Sequence, residues 1–259
     1  MKQRKSTPII AALIIAAVLT RIVQIFLTID FKTGFYKTQF SALGLGITIF
    51  IAVLCGSAAL LARNTLDIIE NGWAVSRVTS VFSGVLAIAL FYEFFAEKFV
   101  IQGVAWQVVL MKLIGFLTAG YFLAFAVFRT LNVKMPDIAH TIPAFYMIIR
   151  IICSFINISS LSLIAENIFL LASYCCMLLF FVSYAAFYCV EEQNTRSLYT
   201  RAVLAFSFSF STALPNIIAN TFAKVGYTHI PIHSQVVLMA FVLFLAGFIY
   251  EKYFKAYEQ

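Results

Sequence analysis

Eight long apolar stretches joined by short polar segments leave this chain few folds to adopt. Each stretch approaches the roughly 20 residues that a helix needs to cross the hydrocarbon core of a bilayer. A segment in that core must satisfy its own backbone hydrogen bonds, which a helix does internally. Of the 259 residues, 63% are apolar and only 11% are charged, against about 25% charged in soluble domains. The pattern predicts an all-α, polytopic membrane bundle that forms one transmembrane domain.

Polar and turn-forming residues set the predicted boundaries of the eight spans. They are 8–29, 38–62, 78–95, 104–128, 138–158, 167–190, 202–222 and 236–253. The first span follows a basic segment, as a signal peptide does, but its apolar character resumes after Arg21, and 17–19 does not have the small residues of a cleavage site. We therefore expect a retained helix.

The Lys and Arg residues predict the orientation of these spans. An even number of spans places both termini on one side, which carries eleven Lys and Arg residues against four on the other. Cytoplasmic loops are the ones rich in Lys and Arg, so we expect both termini in the cytoplasm and the protein in the plasma membrane. The net charge of +7 is then explained by topology and the lipid bilayer, and no nucleic-acid partner is expected.

Three cations inside spans are the most informative residues: Arg21, Lys112 and Arg150. Arg21 and Arg150 lie about 13 Å from the ends of their spans at 1.5 Å per residue, close to the midplane. An arginine there costs roughly 2.5–3.5 kcal/mol on insertion scales, so it usually faces a partner, a cavity or a ligand. Lys112 is nearer the interface, where its long stem allows the ammonium to reach water. Glu93 and Glu166 are the only acids in plausible reach, which leaves cations in excess.

This excess has two interpretations. In the structural one, the arginines donate hydrogen bonds to amides and backbone carbonyls and hold the bundle together. In the functional one, they line a cavity in the outer half for a carboxylate, a phosphate or a lipid headgroup. Helical spacing gives each arginine a polar stripe that should face protein: Arg21, Gln24 and Thr28, and Arg150, Ser154 and Asn157. The candidate ligand-binding residues are Arg21, Gln24, Glu93, Lys112, Arg150, Asn157, Asn216 and Asn220.

The seventh span contains Pro215 between a run of hydroxyl residues and two amides, Asn216 and Asn220. Proline removes one helix hydrogen bond. One interpretation is a kinked or broken helix that contributes to a site at the midplane, as in many transporters. The other is a simple kink whose backbone groups are satisfied by Ser and Thr.

An internal repeat is a further hypothesis. Arg21 and Arg150 are 129 residues apart, and the same shift carries the first, second and fourth spans onto the fifth, sixth and eighth. Four spans return the chain to its starting side, so residues 1–129 and 130–259 would form two parallel four-helix halves.

Catalytic and metal sites are poorly supported. His229 and His233 are four residues apart, but Pro231 lies between them and no Glu follows as in a zinc-binding helix. A surface metal or acid–base site with Glu93 and Glu97 is a weak alternative. The five cysteines lie in apolar runs without metal-ligand spacing. We expect no cofactor and no metal.

Three function classes remain. The first is a transporter or permease-like protein that binds a small anionic or zwitterionic solute, or an acidic lipid headgroup. The second is a non-transporting receptor, accessory or scaffold subunit. The third, a membrane enzyme acting on lipid, fits least well. The stretch 21–37, RIVQIFLTIDFKTGFYK, is distinctive but indicates no activity.

Overall fold

The computed structural model describes residues 3–30, 36–65, 77–96, 105–159, 165–189, 195–223 and 232–254, apart from some side chains at segment ends. Within these ranges the chain forms eight α-helices. They are α1 (Gln3–Thr28), α2 (Ser41–Thr65), α3 (Arg77–Ala96), α4 (Ala105–Thr130), α5 (Ile142–Ser159), α6 (Ala165–Cys189), α7 (Thr195–Ala223) and α8 (Ile232–Phe254). Short 3-10 turns, Thr38–Phe40 and Asp137–Thr141, lead into α2 and α5. Each helix is long and apolar enough to cross a membrane. The prediction of an all-α, eight-span membrane bundle is confirmed.

Three helices begin earlier than predicted, because helices continue through polar residues at their ends. α7 starts at Thr195, so most of the predicted charged connection 191–201 is helical. α8 starts at Ile232, which places His233 in the first turn of a helix and not in a loop. α1 begins at Gln3. An apolar run shows only the part of a helix that lies inside the hydrocarbon core. The polar headgroup zone outside it can solvate charged turns, so a helix can extend beyond its apolar run.

The helices alternate in direction, which defines two faces of the bundle. Ser80, early in α3, bonds Thr130 at the end of α4. Ser234, early in α8, bonds Glu93 near the end of α3. We call the face where α1 begins and α8 ends the near face, and the opposite one the far face.

Helices α3 to α8 form a closed ring in chain order. Each packs against the next, and α8 returns to pack against α3. α1 and α2 pack against each other and against α7, beside this six-helix ring. Neighbours in sequence are therefore neighbours in space, as short connections favour.

Aromatic side chains fill the middle of the six-helix ring. Phe122 from α4 lies 5.2 Å from Phe244 and 5.9 Å from Phe241 of α8, measured between ring centroids. Phe181 from α6 lies 5.9 Å from Phe241. These four rings, which we call the aromatic layer, are at most 1% exposed. Their edge-to-face contacts tie α4, α6 and α8 together.

The helix neighbours are only partly those that a repeat requires. α1 packs with α2 as α5 does with α6, and α3 packs with α4 as α7 does with α8. However, α5 and α6 belong to the six-helix ring, whereas α1 and α2 lie beside it. The repeat of residues 1–129 in 130–259 stays a prediction.

Candidate functional site

A buried ion pair lies inside the six-helix ring, toward the far face. The Nη1 atom of Arg150 on α5 is 2.7 Å from Oε2 of Glu93 on α3. Arg150 is 6% exposed and Glu93 8%. The structure thus brings together two of the predicted site residues and supplies Arg150 with a counter-ion. The excess of cations is unchanged by this pair, because Glu93 was already one of the two acids counted from the sequence.

Hydroxyl groups from three helices complete the coordination of this pair. The Tyr146 hydroxyl accepts a bond of 2.7 Å from Arg150 Nη1 and donates one of 3.2 Å to Glu93 Oε2. Arg150 Nε donates to the Tyr174 hydroxyl on α6 at 3.1 Å. Ser234 on α8 donates to Glu93 Oε1 at 2.8 Å. We call these five residues the polar cluster.

The polar cluster satisfies both charges in a region where water is scarce. Moving an ion from water into a protein interior costs several kcal/mol, which mutual attraction offsets only with good geometry and further hydrogen bonds. Here both carboxylate oxygens of Glu93 accept bonds, and the guanidinium of Arg150 donates from two of its nitrogens. The cluster also joins four helices, α3, α5, α6 and α8.

His233 borders the polar cluster on α8. It precedes Ser234, and a charge on its imidazole would act on Glu93. Its Nε2 atom is buried and has no hydrogen-bond partner within the described part of the chain. The residue as a whole is partly exposed. His233 therefore places an ionisable imidazole close enough to Glu93 for the two charges to interact.

The second buried arginine belongs to a different cluster, outside the six-helix ring. Arg21, Gln24 and Thr28 are all fully buried, which confirms that this predicted stripe faces protein. Arg21 Nη1 donates to Gln24 Oε1 at 2.6 Å. The Arg21 guanidinium also lies 3.9 Å from the centroid of the Phe169 ring on α6, a cation–π contact.

Gln24 in turn ties α1 to the start of α2. Its Nε2 atom has two N–H groups and lies within hydrogen-bond distance of three acceptors: the Gly44 carbonyl at 2.6 Å, Thr48 Oγ1 at 2.8 Å and the Tyr36 hydroxyl at 3.1 Å. The Tyr36 ring lies so close to Gly44 that a Cβ atom there would be 2.5 Å from it. We call Gln24, Tyr36, Gly44 and Thr48 the Gln24 cluster.

The distinctive stretch 21–37 is thereby explained as a link between two helices. Beyond Gln24, the Lys37 backbone N–H donates to the Thr28 carbonyl at 2.8 Å, and Ile29 forms a β-bridge with Tyr36. Residues 31–35 lie outside the described part. The stretch carries structural contacts that fix the far end of α1 to α2.

The two arginines contact α6 from different sides. Arg21 lies against Phe169 and Arg150 bonds Tyr174. Phe169 and Tyr174 are five positions apart on α6, which corresponds to about 140° around the helix axis. The candidate residues therefore do not all form one site.

The remaining candidates make other contacts, or their side chains lie outside the described part of the chain. Lys112 Nζ is 5.6 Å from the centroid of the Phe94 ring. Asn220 donates to Gln235 of α8 at 3.0 Å, and Asn216 is buried at 1% exposure. The side chains of Asn157 and Glu166, and residues Glu97 and His229, lie outside the described part.

The hydroxyl groups of α7 form helix contacts, and α7 continues through Pro215 without a break. Thr212 is 2.8 Å from the Ser173 hydroxyl on α6. Ser211 is 4.0 Å from the Cys55 sulfur on α2. A break at Pro215 is therefore ruled out, while a kink that contributes to a site stays a prediction. The hydroxyls of Thr212 and Ser211 pack α7 against α6 and α2.

A further aromatic cluster lies at the near face around His140. Its Nδ1 atom is 2.7 Å from the Tyr121 hydroxyl, and its ring stacks on Tyr188 at 3.9 Å between centroids. His140 is 2% exposed. In the described ranges, no three His, Cys, Asp or Glu residues are close enough to hold a metal ion.

Sequence reasoning missed Tyr146, Tyr174 and Ser234. Tyr146 precedes Arg150 by one helical turn, which is a signal that could have been used. Tyr174 and Ser234 come from other helices, so only the packing of α6 and α8 reveals them.

No family model, curated protein or solved structure matches this chain. Its function must be argued from the geometry of its own residues.

Proposed function

We propose that the protein is a membrane carrier that binds a small anionic or zwitterionic solute at the polar cluster. The observation that carries this proposal is the buried pair of Arg150 and Glu93 in the interior of a ring of membrane-spanning helices. Ionisable residues inside membrane helices face the bundle interior or a cavity and commonly mark substrate or ion pathways.

Stability alone is a weak reason for a membrane protein to keep such a pair. A buried ion pair is often no more stabilising than well-packed apolar residues of similar volume. A guanidinium, in contrast, binds a carboxylate or phosphate through two parallel hydrogen bonds. In the proposed bound state, the anionic group of the solute replaces Glu93 on Arg150.

The distribution of Lys and Arg supports an orientation in which the near face is cytoplasmic and the polar cluster lies in the outer half of a plasma-membrane protein. A reporter fused after Gln259 should then be active only in the cytoplasm, and one inserted between residues 31 and 35 only outside. An external signal from the carboxyl-terminal fusion would contradict the orientation.

The proposal is tested by binding to the purified protein in lipid nanodiscs. The probes are acetate, glycine betaine and inorganic phosphate, and the readout is the shift in the thermal unfolding midpoint. At least one probe should raise the midpoint of the wild type. Arg150→Lys should abolish this shift because an ammonium lacks the planar fork of a guanidinium. The control is Arg63→Lys, at an exposed position toward the end of α2, and it should leave the shift intact.

A radiolabelled form of the stabilising probe should then accumulate in proteoliposomes. Nanodiscs with and without phosphatidylglycerol distinguish a lipid headgroup from a soluble solute. The proposal fails if no probe shifts the midpoint while Arg150→Lys and Glu93→Gln only destabilise the protein. Tyr174→Phe, which removes one hydroxyl beside Arg150, provides a second variant if Arg150→Lys does not fold.

A further inference from the structure

We infer that the solute is a carboxylate anion and that its binding is coupled to the uptake of one proton by Glu93. This inference rests on the proposed function, because it concerns the same site. It makes the proton the second substrate of the carrier.

The first step of the argument is that Arg150 is the cation in direct contact with Glu93. From α5, Arg150 and Tyr146 bond one carboxylate oxygen, and from α8, Ser234 bonds the other. Tyr174 on α6 reaches Arg150 and not Glu93 in the described contacts. Lys112 on α4 has its ammonium over the neighbouring Phe94 ring. Glu93 therefore depends on Arg150 for charge compensation.

The second step follows from the charge of the polar cluster. Before binding, the negative charge of Glu93 and the positive charge of Arg150 cancel. A carboxylate solute that binds the Arg150 guanidinium displaces Glu93 from it. An ionised Glu93 that stays buried without its counter-ion is energetically costly. A buried group in that position usually becomes neutral instead. With one proton on Glu93, the positive charge of Arg150 and the negative charge of the solute cancel again.

The third step concerns the path of the proton. His233 lies in the first turn of α8, and its Nε2 atom is buried and makes no hydrogen bond among the described residues, while the residue as a whole is partly exposed. Imidazole exchanges protons readily near neutral pH. In the proposed step, the N–H bond of a protonated His233 breaks as an O–H bond forms on Glu93. His233 then regains a proton from water.

A zwitterion would behave differently at the same site. Its carboxylate would bind Arg150, and its cationic group would pair with Glu93. Both charges would be compensated without a proton. The number of protons taken up therefore separates the two classes of solute.

The experiment measures the dissociation constant of acetate and of glycine betaine between pH 6 and 9 in nanodiscs. Uptake of one proton makes the dissociation constant of acetate rise about tenfold per pH unit from pH 6 upward, over the range in which Glu93 is ionised before binding and protonated after it. The glycine betaine constant should be independent of pH. In Glu93→Gln, which mimics the protonated side chain, acetate should still bind, with no dependence on pH. Asp137→Asn is the matched control, because Asp137 pairs with Lys134 at the near face, and it should keep the wild-type slope.

The outcomes separate this inference from the proposed function. Acetate binding with a flat pH profile, or an unchanged slope in Glu93→Gln, overturns proton coupling and leaves the carrier proposal standing. Binding of glycine betaine alone overturns the carboxylate assignment. If no probe binds the wild type, both fail. Because Gln is close in size to Glu and keeps an acceptor for Ser234, Glu93→Gln should fold. If it does not, the pH profile of the wild type decides alone, because a flat acetate profile overturns proton coupling without any variant.

Discussion

Removing Arg150 should destabilise the protein far more than removing Arg150 and Glu93 together. Arg150→Met deletes three described hydrogen bonds, to Glu93, Tyr146 and Tyr174. It also leaves the Glu93 carboxylate buried with only hydroxyl donors. Removing one partner of a buried pair typically costs about 3–5 kcal/mol, so we expect a loss of that size in the free energy of unfolding.

The double variant Glu93→Leu with Arg150→Met should recover most of this loss. Replacing both ions by apolar side chains is often neutral or stabilising, although the hydroxyls of Tyr146, Tyr174 and Ser234 then lose partners, at about 1 kcal/mol each. Glu93→Leu alone should also cost about 3–5 kcal/mol, and the double variant should lose about 3 kcal/mol at most. A double-mutant cycle should therefore give a coupling energy of at least about 3 kcal/mol.

Reversible unfolding in mixed micelles, with increasing denaturing detergent, measures these differences. The surface pair of Lys134 and Asp137 is the control, since its side chains are 82% and 43% exposed and such pairs contribute about 0–1 kcal/mol. The reasoning is refuted if Arg150→Met costs no more than Lys134→Met, or if the two single losses simply add in the double variant.

Two further predictions use matched variants of the same residue type. Gly44→Ala should destabilise the protein by about 1–3 kcal/mol, because the new Cβ would lie 2.5 Å from the Tyr36 ring; Gly46→Ala, with open space around it, should be close to neutral, and equal losses would contradict the packing. Phe122→Ala should cost about 3–5 kcal/mol in the same unfolding assay, since Phe122 is fully buried in the aromatic layer. Phe116→Ala, at a residue 52% exposed on the same helix, should cost much less, and a similar loss would place the aromatic layer elsewhere.

The sequence predicts the membrane helices well because the evidence for a span is local. A run of apolar residues of sufficient length needs no tertiary information. The ends of α7 and α8 were missed for the same reason, since polar turns continue both helices beyond the apolar run. The buried stripe from Arg21 was also predictable, because residues three and seven positions apart share one face of a helix.

The candidate site was only partly predictable. Counting acids gave Glu93 and Glu166 as the carboxylates in reach of the three cations, but it did not show that Glu93 pairs with Arg150. Tyr174 and Ser234 join them because α6 and α8 flank α5 and α3 in the six-helix ring, and no local pattern encodes that order of helices. The same missing information explains why Arg21 and Arg150 were assigned to one site, although α6 lies between their clusters.

The Gln24 cluster has a consequence for how the protein is made. Gln24, Tyr36, Gly44 and Thr48 all lie in the first two helices or in the connection between them, so this hairpin can satisfy the Gln24 amide as soon as it leaves the translocon. The residues of the polar cluster are spread from α3 to α8. A nascent chain therefore holds the Glu93 carboxylate in the bilayer without its guanidinium until α5 is synthesised, and without the Ser234 hydroxyl until α8 follows. The ribosome thus delivers the hairpin with its Gln24 amide satisfied before the ion pair can form, and the interval from α3 to α5 is when chaperones of membrane insertion have most to protect.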